Sequence, residues 1–129
     1  KACDYCMKNN GTCVQKDDMS DLLEAYKKAD VLVLATPVYF YGICAQMKTF
    51  IDRMYPIWQH LGEKEVYYIV SAGLGEDIVK RSIGDLDGFV EHIEKYEIKG
   101  RIYATNIMEA GKVCETPFLD DAYQMGRHI

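Results

Sequence analysis

The sequence predicts an α/β protein built around a parallel sheet. Short apolar runs alternate with segments whose apolar residues recur at helical spacing, in the order α, β, α, β, α, β, α. The first run, residues 31–35, is apolar at every position. That pattern is typical of a parallel strand covered on both faces. Repeated βαβ units with right-handed crossovers build such a sheet.

The first two predicted helices lie on either side of residues 31–35. The first begins after two aspartates, residues 17–18, whose carboxylates can cap free backbone N–H groups, and it ends at Asp30. Its predicted buried face consists of Met19, Leu22, Leu23 and Tyr26. The same spacing in the second helix joins Met47, Phe50, Ile51 and Met54. Pro56 is expected to kink or divide this helix, leaving Ile57 and Trp58 in a turn.

The remaining elements complete a narrow sheet. Residues 66–70 and 101–105 are the second and third predicted strands, and Pro37 is expected to end the ladder of the first. A third helix, closed near Tyr96, has an apolar face of Leu86, Phe89, Val90 and Ile93. A last helix is predicted from about Pro117 to Gly126. Three strands leave residues 31–35 short of a neighbour on one side.

The composition bounds the class of protein. With 129 residues, 49% of them hydrophobic, residues 1–129 fit one globular domain. A formal net charge of −5 argues against general nucleic-acid binding, which needs a basic surface. No apolar run approaches the roughly 20 residues that span a bilayer, and no secretory signal is present. We therefore expect a cytoplasmic protein without a membrane segment.

Ligands of open parallel sheets bind beyond the carboxyl ends of the strands. Those ends are residues 36–42, 71–75 and 106–111. In the first loop, three aromatic residues lie between Pro37 and Gly42, and a helix follows. Such a loop can offer a flat π-surface and free N–H groups to a planar ring with a polar edge, such as a flavin. The alternative is that the aromatic residues pack in the core or at a subunit interface.

The glycines at the second strand end carry less information. Gly73-Leu74-Gly75 lacks the third glycine of a dinucleotide fingerprint, because Ile78 occupies that spacing. A flexible loop that approaches a ring closely is one interpretation, and a purely structural turn is the other.

Three of the five cysteines, Cys3, Cys6 and Cys13, lie in the first thirteen residues. Thiolates at this spacing can hold zinc or an iron–sulfur cluster, although both usually need four ligands. The alternative is a set of reduced structural cysteines around a turn at residues 9–11. Cys44 lies near a helix start, where the dipole would lower a thiol pKa, but a small buried apolar residue is the favoured interpretation.

Several segments together carry a family resemblance. They are residues 3–19, with Cys-x2-Cys, then GTCV and DDM; residues 35–42, ATPVYFYG; residues 45–53, AQMKTFIDR; and residues 122–126, AYQMG. This combination resembles the flavodoxin-like NAD(P)H-dependent FMN reductase family, which includes the iron–sulfur flavoproteins. The resemblance implies a flavodoxin-like three-layer sandwich that binds FMN and moves electrons from NAD(P)H to a small-molecule acceptor or a ferredoxin-like protein.

The resemblance also implies which residues hold the flavin ring. They are Thr36, Pro37, Val38, Tyr39, Phe40 and Gly42 in the first loop, and Ser71, Ala72 and Gly73 in the second. No catalytic side chain is assigned, since the flavin performs the redox chemistry. Family members often dimerise near the flavin, so a homo-oligomer is expected.

The sequence departs from the family pattern at its start. The first β-α-β portion, including the loop that holds the FMN phosphate, is missing from residues 1–129. Either these residues are a piece of a longer protein or another chain supplies the missing strands, and the exposed sheet edge that a complete protein of this shape would have favours the first. A cysteine just before Lys1 would complete, with Cys3, Cys6 and Cys13, the ligand spacing of the iron–sulfur members and their [4Fe–4S] cluster. Two other functions stay open: an iron–sulfur electron carrier, and a cofactor-free domain that only dimerises.

Overall fold

The computed structural model describes residues 2–129. It contains four strands: β1 (Val31–Tyr39), β2 (Gly42–Ile43), β3 (Glu63–Ser71) and β4 (Lys95–Ala104). It contains five α-helices: α1 (Met19–Lys28), α2 (Ala45–Arg53), α3 (Glu76–Ser82), α4 (Gly84–Val90) and α5 (Phe118–Gly126). Short 3-10 turns lie at Cys6–Lys8, Tyr55–Ile57 and Lys112–Glu115. None of the helices in this described range is long and apolar enough to cross a membrane.

The sheet has the strand order β2-β1-β3-β4. β1 pairs with β3 in parallel from Val31 to Pro37, and β3 pairs with β4 in parallel. The predicted parallel core is therefore confirmed. Pro37 makes the last parallel pair, with Ser71, as expected for a residue without an amide hydrogen. β1 nevertheless continues to Tyr39 and turns back into β2, an antiparallel hairpin that the sequence pattern did not predict.

The main core lies on one face of the sheet. Leu34, Val66, Tyr68 and Val70 alternate along β1 and β3 on this face, and all are at most 2% exposed. Helices α1, α3 and α4 each contribute buried residues to the same cluster. On the opposite face, α5 approaches the sheet through Met125, whose side chain lies beside Tyr67 and Gly100. Helices on both faces give the three-layer arrangement that the sequence predicts.

The prediction that residues 31–35 are covered on both faces is wrong for the described structure. Val33 is 45% exposed and Ala35 is exposed, whereas Leu34 between them is buried. α5 contacts the far side of the sheet at β4 and Tyr67. Leu22, predicted on the buried face of α1, is also half exposed.

The region between β3 and β4 differs most from the expectation. The predicted third helix is two short helices, α3 and α4, joined at Ile83. Ile93 is buried after α4 ends, and Tyr96 lies inside β4 rather than at a helix end. β4 begins at Lys95, six residues before the predicted start at Arg101. The first part of the strand contains charged residues, so it lacks the continuous apolar run from which strands were predicted.

Candidate functional site

A two-residue hairpin tip projects from the carboxyl end of the sheet. β1 and β2 pair through Val38↔Ile43 and Tyr39↔Gly42, which leaves Phe40 and Tyr41 as the turn. Both turn residues have positive φ angles, 48° and 66°. Positive φ at both central positions is the type I′ pattern, which normally selects Asn-Gly. Two aromatic residues there store backbone strain, a feature that clusters at functional sites.

The aromatic side chains of this tip are exposed. Phe40 is 101% exposed, Tyr39 is 65% exposed and Tyr41 is 57% exposed. Adjacent exposed aromatic rings on a strained turn gain nothing from burial in the described chain. Their flat faces are therefore available to a ligand or to another protein surface.

The base of the hairpin is fastened by Thr36. Its side chain is buried, and its hydroxyl donates to the carbonyl of Pro37 at 2.9 Å while accepting the N–H of Cys44 at 3.0 Å. The predicted loop residue Thr36 thus uses its hydroxyl within the loop.

The loop after β3 faces the hairpin and is tied to the loop after β4. The N–H of Asn106 donates to the carbonyl of Leu74 at 3.2 Å, and the N–H of Ile107 donates to Ala72 at 3.0 Å. A Cβ built on Gly73 would collide with the thioether of Met108, so this position requires glycine unless Met108 moves. Within the described residues, the backbone N–H groups of Gly73 and Leu74 donate to no backbone carbonyl.

A shallow cavity of about 230 Å³ lies between these loops. Four of the predicted flavin residues line it: Val38, Phe40, Ala72 and Gly73. Tyr41, Leu74 and Ile78 also line it, although they are not among the predicted ring contacts. Tyr41 carries the same aromatic signal as its neighbours. Leu74 lies in the loop after β3 and Ile78 lies in α3, and their apolar character was the available signal.

The other predicted residues lie beside the cavity rather than on its lining. Pro37 and Ser71 form the last parallel pair of β1 and β3, directly below the two loops. Tyr39 and Gly42 form the last pair of the hairpin, directly below its tip. Their part in holding a flavin therefore stays a prediction.

The thiol of Cys44 lies behind the hairpin at the N-terminus of α2. Contact with the Thr36 hydroxyl, followed by the backbone N–H groups of Met47 and Gln46, lowers the pKa of this buried thiol. A helix N-terminus favours negative charge, which explains the direction. Cys44 is thus both a small buried residue and a thiol of lowered pKa.

The three N-terminal cysteines occupy different environments. Cys3 is exposed, Cys6 is buried and Cys13 is half-buried. From residue 2 onward, no three Cys, His, Asp or Glu side chains are grouped closely enough to hold a metal ion. The residue position proposed to precede Lys1 lies outside the described residues. The iron–sulfur ligand set therefore stays a prediction from spacing.

The loop that carries Cys13 is anchored to the end of α2. Arg53 makes two contacts with the Asp17 carboxylate, at 2.7 and 2.9 Å, and its Nη2 lies 3.9 Å from the Cys13 sulfur. The N–H of Gln15 also approaches that sulfur, at 3.5 Å. Hydrogen bonding to Arg53 holds the pKa of Asp17 below its usual range, and Asp17 in turn raises the pKa of Arg53.

Known proteins similar to this chain agree with the fold. The chain superimposes on the Trp repressor binding protein of Bacillus subtilis with a TM-score of 0.70 and 20% identity, over 84% of this chain and 75% of that one. It superimposes on a flavone reductase with a TM-score of 0.69 and 19% identity, over 95% of this chain and 49% of the other. These likenesses confirm the predicted flavodoxin-like α/β fold.

Sequence relatives lie among the iron–sulfur flavoproteins. One from Archaeoglobus fulgidus is 43% identical over 77 residues, which are 57% of this chain and 34% of that protein. One from Methanocaldococcus jannaschii is 43% identical over 51 residues, which are 40% of this chain and 26% of the relative. The matched segments thus span about a third or less of these relatives.

A family model described as NADPH-dependent FMN reductase matches residues 2–90. That range contains the cysteine loop, the aromatic hairpin and the facing loop after β3. The chain therefore belongs to the NADPH-dependent FMN reductase family.

Proposed function

We propose that the protein is an FMN-dependent oxidoreductase that takes electrons from NAD(P)H and passes them to a small-molecule or protein acceptor. The observation that carries the proposal is the strained aromatic hairpin tip beside a cavity at the carboxyl end of a parallel sheet. Family membership and relatives named as iron–sulfur flavoproteins support the same chemistry.

The residues present fit the ring of FMN. The cavity, about 230 Å³, is smaller than the roughly 300–1,000 Å³ of complete ligand sites, so it suits one planar part of a cofactor. Its lining is apolar or aromatic except for backbone groups. The unused amides of Gly73 and Leu74 can donate to the polar edge of a ring.

FMN, when bound, supplies the redox chemistry by accepting electrons from the nicotinamide and releasing them to the acceptor. The chain's own residues would bind and orient it. Phe40 and Tyr41 would face the ring, and Val38 and Ala72 would exclude water from its inner side. Gly73 would let the backbone approach the ring closely.

The described thiols do not fit an iron–sulfur cluster as they lie, because Cys3 is exposed, Cys6 is buried and no three metal-binding side chains converge. The relatives' name nevertheless makes the electron carrier with a [4Fe–4S] centre and a ferredoxin-like partner the second candidate. Its distinguishing feature is a broad visible shoulder that decreases on reduction.

The exposed aromatic surface also supports the proposal that the protein is a homo-oligomer. Large exposed apolar side chains gather at the hairpin end: Tyr39, Phe40, Tyr41, Leu74 and Met108. A second copy packed near them would remove apolar surface from water and could close the open side of the cavity. A cofactor-free domain that only dimerises would use the same surface. Uptake of FMN is therefore the observation that distinguishes it from the proposed oxidoreductase.

The test is the visible spectrum of the purified protein, produced with any residues that its gene encodes beyond these 129. Flavin bands that NADPH or NADH bleaches without oxygen are the expected result. Phe40→Ala is expected to weaken FMN binding. Tyr96→Ala is the matched control, because Tyr96 is a partly exposed aromatic residue near the opposite end of the sheet. A colourless protein that takes up no added FMN would contradict the proposal.

A further inference from the structure

The side chain of Thr36 is placed to control the shape of the aromatic hairpin. Only 3% of Thr36 is exposed. A hydroxyl has one proton to donate and can also accept, and both capacities are used: donation to Pro37 O at 2.9 Å and acceptance from Cys44 N–H at 3.0 Å. The two partners lie on opposite sides of the turn. The hydroxyl therefore bridges the base of the hairpin.

The hairpin needs such a bridge. It has only the two pairs Val38↔Ile43 and Tyr39↔Gly42. A two-stranded hairpin is marginal by itself, and positive φ angles at Phe40 and Tyr41 add strain. Whatever closes its base helps to keep the tip in the strained shape.

The rest of the fold does not depend on this hydroxyl. Thr36 pairs with Val70 through the backbone in the parallel ladder, and any residue can make that pair. A valine would retain the branched shape and the packing, but it would leave the Cys44 amide without its acceptor. Loss of the hydroxyl should act on the hairpin first and on the sheet little.

We propose that the Thr36 hydroxyl is the positioning group of the ring-binding loop: by bridging Pro37 and Cys44, it holds Phe40 and Tyr41 in the conformation that receives the flavin ring. The proposal rests on the proposed FMN function. Thr36 itself is not assigned contact with the ring, because its hydroxyl is already used within the loop.

The experiment compares Thr36→Val and Thr36→Ser with the unmodified protein. FMN affinity is measured by quenching of flavin fluorescence, and stability by urea unfolding without FMN. Removal of two hydrogen bonds at the base is expected to weaken FMN binding by about tenfold in Thr36→Val. Thr36→Ser keeps both bonds and is expected to bind FMN within about twofold of the unmodified protein.

Thr116→Val is the matched control. The Thr116 hydroxyl also donates to a backbone carbonyl, that of Val113 at 2.7 Å, but it does not line the cavity. Thr116→Val removes one such hydrogen bond at a half-buried position, so it should lose some stability and retain FMN affinity. This separates a general loss of stability from a loss of loop shape.

A measurement on the unmodified protein covers the case in which Thr36→Val does not fold. Hydrogen exchange at the Cys44 amide should be slow, because the Thr36 hydroxyl accepts it. Rapid exchange there, or unchanged FMN affinity in a folded Thr36→Val, overturns the inference. If the unmodified protein binds no FMN, the proposed function itself fails. Normal FMN binding with no effect of Thr36→Val refutes only the role of Thr36.

Discussion

At the scale of single residues, Asp17 connects the start of α1 to the end of α2. Its Oδ1 accepts the N–H of Met19 at 3.2 Å, and both carboxylate oxygens contact Arg53. The sequence predicted a capping carboxylate at residues 17–18. It did not predict the ion pair with Arg53, because that residue lies 36 positions away and local sequence patterns do not show such contacts. The ion pair fixes the segment that carries Cys13.

Asp17→Asn should remove a pH-dependent part of the stability. Because the folded-state pKa of Asp17 is lowered by Arg53, this contribution is present above the unfolded-state pKa, about 4, and is lost as pH falls through the lower folded-state value. We expect the urea midpoint of Asp17→Asn to lie below that of the unmodified protein at pH 7. The difference should shrink near pH 2.

Asp18→Asn is the control for that comparison. Asp18 lies beside Asp17 but makes no ion pair with Arg53 in the described structure. Equal midpoints of Asp17→Asn and the unmodified protein at pH 7, or a difference that persists unchanged in acid, would show that the pair does not stabilise the loop.

Sequence reasoning named some of the residues that line the cavity, whereas their contact with a flavin stays a prediction. Phe40 and Gly73 were named from the family resemblance, because an aromatic loop and a glycine after a strand are each also compatible with a purely structural role, and both line the cavity. The bridging role of Thr36 was missed because it depends on where Cys44 returns in space. Leu74 and Ile78 were missed because apolar residues after a strand resemble ordinary core.

At the scale of elements, the β1–β2 hairpin combines poor turn chemistry with an exposed aromatic tip. Phe40 and Tyr41 do not favour the positive φ angles that this turn requires. Natural proteins retain such backbone strain mainly at functional sites. The sequence predicted a loop here, because Pro37 was expected to end the strand ladder and Gly42 permits a tight turn. The paired hairpin emerges only from the tertiary contacts at its base.

Replacing the tip by the double variant Phe40→Asn, Tyr41→Gly should separate stability from binding. Asn-Gly suits the positive φ angles, so the free energy of unfolding without FMN should rise by about 1–2 kcal/mol. FMN binding should weaken by at least about tenfold because the aromatic faces are lost. Urea unfolding and fluorescence titration measure the two effects. A variant that is less stable, or that keeps full FMN affinity, would refute this account of the tip.

Gly100 shows how α5 packs on the sheet. The register between β3 and β4 shifts by one residue, from Val66↔Ile98 to Tyr67↔Gly100, which is a β-bulge at Lys99. A Cβ at Gly100 would lie 2.6 Å from the Met125 sulfur and 3.1 Å from the Tyr67 ring. The bulge and the missing side chain together make room for the helix.

Gly100→Ala is therefore expected to lower the free energy of unfolding by about 1–3 kcal/mol through overpacking. Gly88→Ala in α4 is the control, since a Cβ there meets nothing within 4 Å. It should raise stability by about 0.5–1 kcal/mol through helix propensity. Equal effects of the two variants in urea unfolding would contradict the proposed packing of α5.

The order of elements was largely predictable, and their bounds were less so. Apolar periodicity located α1 and α2, and Pro56 divides the segment after α2 as predicted. The prediction from apolar periodicity was wrong between β3 and β4, where two short helices, one of them containing Gly84 and Gly88, replace the single predicted helix. Alternating charged residues at the start of β4 also carry no apolar run.

At the scale of the whole molecule, the carboxyl and amino ends of the parallel strands carry cavities of different chemistry. Aromatic and glycine-containing loops meet at the carboxyl ends of β1 and β3. At the amino ends, a larger cavity of about 500 Å³ is lined by charged residues such as Glu63, Lys64 and Lys95. Cavity size alone would favour the charged end, whereas strand polarity and aromatic chemistry favour the hairpin end. We propose, for those two reasons, that the flavin ring binds at the hairpin end.

Hydrogen exchange with and without FMN tests that placement most directly. On FMN addition, the account predicts slower amide exchange confined mainly to residues 38–43 and 72–75. Exchange at residues 63–65 and 95–97, around the charged cavity, should stay unchanged. Protection at the charged end, or uptake of FMN with no protection at the hairpin and the facing loop, would contradict the central claim.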